Sequence, residues 1–354
     1  MKKPQRGFGL IELMLAMTIG LIISAGLVVI FLTQRQVYQS ATSQGAMQDA
    51  DNAIAAILAP TIRDAGFLGC SGMTQGSPNI NLGAGSTPLV FASASGVLGY
   101  AATLPTPLVD GAPNDLNGSH WQPTLDSSLT TSQVGVEQGS DVLVLFGMRP
   151  GSHPVDASFA GNKLTLSDAT SFSGNGGAAQ VVAVSNCASS SLYVTTGLSG
   201  LTLSLASTPN LALYPDGAQA VPLQQTAYYV ARGDGGQSAL YQAVMTIPAG
   251  GSVANAAWQA SEIVPGVTAM QVRYGIGSDV NGSQTTQYVS ANQVSNWSAV
   301  TSVRLGFLVE GGIGSSGNGS VASSYTVFDN IPLQADSRLR HTTFLTVNLR
   351  NHSL

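Results

Sequence analysis

An uninterrupted apolar run dominates the pattern near the N-terminus. Residues 13–32 carry no charge, and Glu12 stands immediately before them. Twenty helical residues at about 1.5 Å each span roughly 30 Å, the thickness of the hydrocarbon core of a bilayer. The run follows three basic residues, Lys2, Lys3 and Arg6. By the positive-inside tendency, the pattern predicts a single membrane-spanning helix with its N-terminus in the cytoplasm and the rest of the chain exported.

A cleaved secretory signal is the alternative interpretation of this segment. Such signals have an apolar core of about 7–15 residues that ends at a site of small residues. Here the run is longer, and the sequence that resembles such a site, Ser24-Ala25-Gly26, lies in its middle. We therefore favour a retained membrane helix.

The helix is expected to continue beyond the membrane as an amphipathic extension over residues 33–65. Residues 33–59 contain no proline, and apolar residues recur on one face at helical spacing: Ile54, Ile57, Leu58 and Ile62. Because proline removes a donor and clashes with the preceding turn, Pro60 is expected to end or kink the helix near Ala59.

The remaining pattern predicts an exported β-rich head over residues 66–354. Residues 71–138 read as irregular, with short apolar islands such as the one at 97–98. From residue 139, short apolar runs alternate with turns, and segments 227–232 and 238–245 flank a glycine-rich hairpin turn. The predicted fold class is α+β: a long N-terminal helix packed on a predominantly antiparallel sheet.

Charge and cysteine content narrow the function classes. The formal net charge is −5, from 13 basic and 18 acidic residues, which argues against nucleic-acid binding. The only cysteines, Cys70 and Cys187, are expected to form a disulfide after export. Two free thiols and half of a metal site are the alternatives.

Other clusters offer weaker chemistry. Asp110 and Asp115 supply oxygen ligands for calcium, although such Asp, Asn and Gly clusters are also ordinary turn sequences, the interpretation that we prefer. Arg338, Arg340 and His341 suggest a docking patch for an acidic partner, but we favour charges that face solvent. No catalytic motif is recognisable, so we expect no enzyme activity and no cofactor.

The N-terminal sequence from Arg6 to Leu13, Arg-Gly-Phe-Gly-Leu-Ile-Glu-Leu, resembles the processing site of type IV pilins and type II secretion pseudopilins. The resemblance implies that a prepilin peptidase cuts after Gly7, removing the leader 1–7, and methylates Phe8. Residues 8–32 would then be the membrane and assembly helix. Loss of the leader changes the formal net charge to −8. Glu12, an acid at the lipid boundary, would pair with the new amine on Phe8 of a neighbouring subunit.

Further segments resemble PilW-type minor pilins of the type IV pilus. They are residues 62–70, 262–275, 303–309 and 336–351, and in the second of them the resemblance implies a short helical turn before Met-Gln-Val. The resemblance implies a subunit that is held in the inner membrane with its head in the periplasm. It would help to prime pilus assembly and end at the pilus tip.

The implied partners are the prepilin peptidase, the assembly platform, the major pilin, other minor pilins and a large tip adhesin. Cell adhesion and twitching motility would be the outputs of such a pilus. One alternative is a J-like minor pseudopilin of a type II secretion system, which shares the leader, helix and sheet. Another is an uncleaved single-span anchor that presents a carbohydrate-binding β-domain.

Overall fold

A computed structural model describes residues 9–70, 78–82, 96–173, 179–186, 188–215, 217–248, 253–277, 285–312, 315 and 324–350. The helix α1 spans Leu10–Arg63. The strands that follow are β1 Asn79–Asn81, β2 Val97–Ala102, β3 Trp121–Gln122, β4 Val142–Met148, β5 Val155–Ala160, β6 Lys163–Leu166, β7 Val181–Ser185, β8 Ser190–Ser199, β9 Thr202–Leu205, β10 Ala218–Arg232, β11 Ser238–Thr246, β12 Ala257–Pro265, β13 Val267–Gly277, β14 Thr285–Val289, β15 Val300–Glu310, β16 Ser324–Thr326, β17 Asn330–Pro332 and β18 Arg340–Asn348. Six short 3₁₀ helices in the described ranges are Gly118–His120, Thr170–Phe172, Leu211–Leu213, Val253–Asn255, Ala291–Gln293 and Trp297–Ala299.

The helix α1 divides into an exposed half and a packed half. Its large apolar side chains are exposed through Tyr38. From there on one face becomes buried at intervals of three or four residues: Ser43, Met47, Ala50, Ile54, Leu58 and Ile62. This is the spacing of one helical face, so only the second half of the helix belongs to the core of the head.

Pro60 does not end the helix, although an end there was one of the two outcomes expected from the sequence; the other, a kink, stays a prediction. The helix continues to Arg63, and Ile62 is fully buried beyond the proline. Pro60 and Ala56, whose carbonyl lacks its usual N–H partner, both lie on the exposed face, where water can supply the hydrogen bond. Burial of Ile62 favours continuation of the helix.

In the described part of the chain the strands form sheets of twelve, four and two members. The named strand pairs are antiparallel except β1 with β8, which confirms the predicted α+β class with a predominantly antiparallel sheet. The long strand β10 is the centre of the large sheet and pairs with β4, β5, β7 and β11. The small sheet has the order β14-β13-β15-β18.

Local predictions had mixed outcomes. The hairpin between β10 and β11 is confirmed, with Gly236 at φ +77° in its turn. The apolar island at 97–98 begins strand β2, which pairs with β4. The helical turn expected before Met270 is absent from that described segment, because β12 and β13 meet there at Gly266, where φ is +74°.

The packed half of α1 shares one core with the large twelve-stranded sheet and the small four-stranded sheet. Side chains of α1 meet the small sheet and one face of the large sheet, where Leu145 and Tyr228 lie. The alternate residues, Val144 and Tyr229, face a second core on the far side of the large sheet. This alternation follows from the two-residue period of a strand.

A buried aspartate, Asp141, joins the large twelve-stranded sheet to the small four-stranded sheet. The Oδ1 atom of Asp141 accepts a hydrogen bond from the N–H of Ala102 in β2 at 2.8 Å. Its Oδ2 atom accepts one from the N–H of Val272 in β13 at 2.7 Å. Burial raises the pKa of Asp141 to about 7, while the two N–H donors act in the opposite direction.

Candidate functional site

The first half of α1 is apolar on all sides and makes no core contact with the head. None of the most apolar eighteen-residue window of Leu10–Arg63 is buried, and by length and composition this helix is suited to cross a membrane. The hydroxyls of Thr18 and Thr33 donate to Leu15 and Val29 carbonyls, both at 2.9 Å, so these polar groups are satisfied within the helix. Such a surface suits lipid or other apolar helices rather than water.

Glu12 lies in the first turn of this helix. Its Oε2 atom accepts a long hydrogen bond, 3.4 Å, from the N–H of Gly9, and its own N–H donates to the Gly9 carbonyl at 3.0 Å. The carboxylate is exposed and sits where the helix dipole favours negative charge. Gly7 and Phe8, the predicted processing residues, lie outside the described residues.

The arginines near the C-terminus are not solvated, contrary to our preference from sequence. The side chains of Arg340 and Arg338 are 2% and 11% exposed, and that of Glu310 is fully buried. Arg340 holds Glu310 and Asp336 at 2.8 and 2.6 Å, and Arg338 holds Glu310 at 2.5 Å and also Asp110. The two guanidinium groups therefore tie the C-terminal segment to the end of β15 and to the loop after β2.

A fourth carboxylate extends this cluster inward. Ser238 links Glu137 to Asp110: its hydroxyl donates to Glu137 at 2.9 Å and its N–H to Asp110 at 2.8 Å. Glu137 also accepts from the N–H of Ala112 at 2.9 Å. Burial raises the pKa of Glu137 to about 8, despite those hydrogen bonds, so this group holds a proton near neutral pH. We call the set Asp110, Glu137, Glu310, Asp336, Arg338 and Arg340 the ionic cluster.

His341 is the third residue of the predicted docking patch, and it contacts α1. Its Nε2 atom lies 2.8 Å from Oδ2 of Asp51. The pair joins the helix to strand β18 at the border of the shared core. The predicted patch therefore serves contacts inside the head.

The two aspartates considered as weak calcium ligands have different partners. Asp110 belongs to the ionic cluster, whereas Asp115 accepts from His120 at 2.5 Å and from the N–H of Asn117 at 2.9 Å. Within the ranges that the structure describes, no group of three or more His, Cys, Asp or Glu side chains is arranged to hold a metal ion. Calcium binding stays the less favoured interpretation of these residues.

The predicted disulfide lies only half within the described residues, because Cys187 is outside them. The chain near both cysteines is held together: the hydroxyl of Ser185 donates to the carbonyl of Leu68 at 2.7 Å. Leu68 and Ser185 are each two residues from a cysteine. The disulfide stays a prediction, with a geometry that brings the two segments close.

A serine, a histidine and an aspartate form a chain of contacts that the sequence did not reveal. The Ser171 hydroxyl lies 3.0 Å from Nδ1 of His153, whose Nε2 lies 3.1 Å from Asp168. The same hydroxyl contacts the backbone N–H and carbonyl of His153 at 3.0 and 3.1 Å, and Ser171 is only 4% exposed. These contacts fasten the loop before β5 to the 3₁₀ helix Thr170–Phe172, and a buried hydroxyl gives a substrate little access.

Sequence reasoning also missed Asp51, Glu137 and Glu310. Each is a single acid in an ordinary local context, and its partners lie far away along the chain. No spacing rule within a strand or a helix signals such contacts.

Comparisons with known proteins agree with the two ends of the chain. The family model for the prokaryotic N-terminal methylation motif matches residues 2–28, and the model for type IV pilus-assembly protein W, PilW, matches residues 227–351. The latter range contains the small sheet and most of the ionic cluster. The matched families are structural rather than enzymatic.

Among solved structures, a type IV-like pilin from Thermus thermophilus is 16% identical, with coverage of 50% of this chain and 87% of that chain and a TM-score of 0.25. No curated protein matches the chain. The two family models nevertheless join the N-terminal methylation motif of prepilins to the C-terminal region of PilW, and the resemblance to PilW-type pilins predicted from the sequence is confirmed.

Proposed function

We propose that this chain is a minor pilin of a type IV pilus, made as a prepilin, cleaved after Gly7 and methylated on Phe8. Residues 8–32 anchor it in the inner membrane, residues 33–65 connect the anchor to the head, and the head, 66–354, lies in the periplasm. The subunit then joins other minor pilins in a complex that primes assembly and remains at the pilus tip. Its further partners are the prepilin peptidase, the assembly platform, the major pilin and a large tip adhesin.

The exposed apolar half of α1 carries this proposal. Its large side chains are exposed from Leu10 to Tyr38, and the head covers none of the most apolar window. Burying one such side chain is worth about 1.5–3 kcal/mol, so the segment requires lipid before assembly and neighbouring helices afterwards. A filament with bundled N-terminal helices supplies that second environment.

Glu12 supplies specificity in this environment. A carboxylate among apolar helices needs a cation, and its described contact is only the long hydrogen bond from Gly9. Cleavage after Gly7 creates an ammonium group on Phe8 of each subunit. Pairing of Glu12 with the ammonium of a neighbour would set the axial register of the incoming chain.

The N-terminal mass of native protein from membranes and from sheared pili tests the processing step. We expect a chain that begins at Phe8 with one added methyl group. A native protein that retains Met1 and the basic leader would exclude the pilin route and favour an uncleaved anchor.

The substitution Glu12→Ala tests assembly. We expect normal cleavage but a strong loss of the subunit from sheared pili, since the pairing acid is gone. Asp49→Ala removes an exposed acid from the packed half of the same helix and serves as the matched control. Equal incorporation of both variants would contradict the pairing mechanism.

Deletion of the gene tests the system to which the subunit belongs. We expect fewer surface pili, restored by the wild-type chain. If the chain is instead a J-like pseudopilin, the deletion should lower protein secretion and leave the pili unchanged. Gold-labelled antibodies against the head should mark pilus ends, and labelling along the whole shaft would contradict the tip position.

A further inference from the structure

The outer face of the small sheet, opposite α1, carries an unusual pair of arginines. Arg273 in β13 and Arg304 in β15 are direct cross-strand partners. Like charges in that position destabilise a sheet unless each is compensated. Arg273 is compensated by an ion pair with Asp329. In the described part of the chain, exposed Arg304 has no carboxylate within ion-pair distance.

Aromatic rings surround the guanidinium of Arg304. Its central carbon lies 5.8 Å from the ring centroid of Tyr288, 5.5 Å from that of Phe328 and 5.7 Å from that of Phe344. The Phe344 side chain is 46% exposed although it belongs to a strand of the head, and Tyr288 is 39% exposed. We call Tyr288, Arg304, Phe328 and Phe344 the arginine–aromatic surface.

We propose that the arginine–aromatic surface docks an acidic segment of a different polypeptide, whose carboxylate pairs with Arg304. Aromatic residues and arginine are enriched at the energetic centres of protein interfaces. The cation–π contacts hold the guanidinium in place while leaving its N–H groups unpaired among the described residues. A carboxylate from the partner would supply the charge that the sheet lacks.

Other occupants fit this surface less well. Each ring contacts the guanidinium, so it offers a sugar less surface on which to stack. Anionic lipid is bound by clusters of several basic residues, whereas the described residues of this face include one uncompensated cation. Two copies of the chain meeting symmetrically through this surface would bring Arg304 against Arg304, which is repulsive.

Zero-length carbodiimide cross-linking tests the proposal in intact piliated cells. Lys163 is the only lysine after the leader, and it lies exposed in β6, far from the rings in sequence. In Arg304→Lys, the new amine should form an amide with an Asp or Glu of another polypeptide. Peptide mass spectrometry would identify both ends of the link, and Lys163 provides the internal background.

A second variant guards against misfolding. Thr346 in β18 is the exposed cross-strand partner of Arg304, so Thr346→Lys places an amine beside the surface while Arg304 stays intact. A link from either position to a carboxylate of another polypeptide supports the proposal. Links confined to the same chain or to a second copy, or yields no higher than at Lys163 in both variants, would overturn it.

Charge reversal provides an independent readout once the linked carboxylate is identified. We expect Arg304→Glu to lower recovery of the complex at least about tenfold, because like charges across an interface are costly. Arg232→Glu, at an exposed arginine outside the surface, is the matched control and should have no effect. Reversing the partner carboxylate to arginine should restore binding to Arg304→Glu, and failure of this rescue would contradict direct pairing.

The docking surface lies in the head, so its test is separate from that of the helix. Incorporation into sheared pili is scored in the same cells. A chain that is incorporated normally but gives no link refutes only the docking surface.

Discussion

Asp51 in α1 and His341 in β18 touch across the border of the head, with Oδ2 and Nε2 2.8 Å apart. The contact joins the first described helix to the last described strand, since Asp51 lies in the packed half of α1 and His341 lies in β18. Both side chains are about one-third exposed, so water weakens their attraction. The pair therefore contributes modestly to stability at the contact between the helix and the small sheet.

A double-mutant cycle measures this pair. In detergent-solubilised full-length protein, we expect Asp51→Ala and His341→Ala to lower the free energy of unfolding by less together than the sum of their separate effects. The expected coupling is about 0.2–1 kcal/mol, as for partly exposed ion pairs. Strictly additive effects would contradict a direct interaction. Asp49→Ala combined with His341→Ala is the control and should be additive.

Asp141→Ala is expected to be much more damaging, because it removes the acceptor that joins the two sheets. Two backbone N–H groups, of Ala102 and Val272, would lose their partner. Each buried unsatisfied donor costs about 1–3 kcal/mol. Thermal or denaturant unfolding of the solubilised chain measures the loss. Asp156→Ala, in an exposed position of β5, is the control, and equal destabilisation by both variants would refute this role.

Stability should fall as the pH rises, because the fold holds a proton on Glu137. The pKa of this group is about 8 in the folded protein, against an ordinary value near 4.5 in the unfolded chain. Between these two pKa values the folded state binds more protons than the unfolded state. The contribution of Glu137 to the free energy of unfolding is therefore complete below about pH 4.5 and is lost as the pH rises through 8. Asp141, whose pKa is raised to about 7, adds a change of the same sign.

Glu137→Gln isolates the contribution of this proton. An amide stays neutral and keeps an acceptor for Ala112 and Ser238, so unfolding of the variant should depend less on pH between 5 and 8. Glu262→Gln on β12 is the matched control outside the ionic cluster. An unchanged pH profile in Glu137→Gln would show that Glu137 is not the group that holds the proton.

Cys70→Ser and Cys187→Ser should each remove the predicted disulfide. The disulfide would close a loop of more than a hundred residues, so the chain-entropy model predicts that its removal lowers the free energy of unfolding by about 4–5 kcal/mol. Maleimide labelling of the exported wild-type protein should modify neither cysteine before reduction and both after it. Ready labelling of both thiols without reduction would contradict the disulfide.

The elements whose signal is local were predicted well from the sequence. The buried face of Ile54, Leu58 and Ile62 follows from helical spacing, and the β10–β11 hairpin follows from its glycine-rich turn. The predicted helix end at Pro60 was wrong because the rule on proline is local, whereas burial of Ile62 depends on the whole core. Tertiary packing outweighed the local preference there.

The same contrast applies to the candidate sites: a local signal can be recognised in the sequence, whereas contacts between distant segments cannot. Glu12 was singled out because an acid beside an apolar run is a local signal in the sequence, and its role in assembly stays a prediction. Burial of Arg338 and Arg340 was missed because Glu310 and Asp110 reach them only after the sheet forms. The arginine–aromatic surface was missed for the same reason, since its rings come from β14, β18 and the turn between β16 and β17.

The continuity of α1 has a mechanical consequence. At about 1.5 Å per residue, its 54 residues measure roughly 80 Å, of which a bilayer takes up roughly 30 Å. No break separates the part that leaves the lipid from the part seated in the head. A force that lifts the apolar half of the helix along its axis is therefore transmitted to the strands on which the helix rests, so the head moves together with its stem.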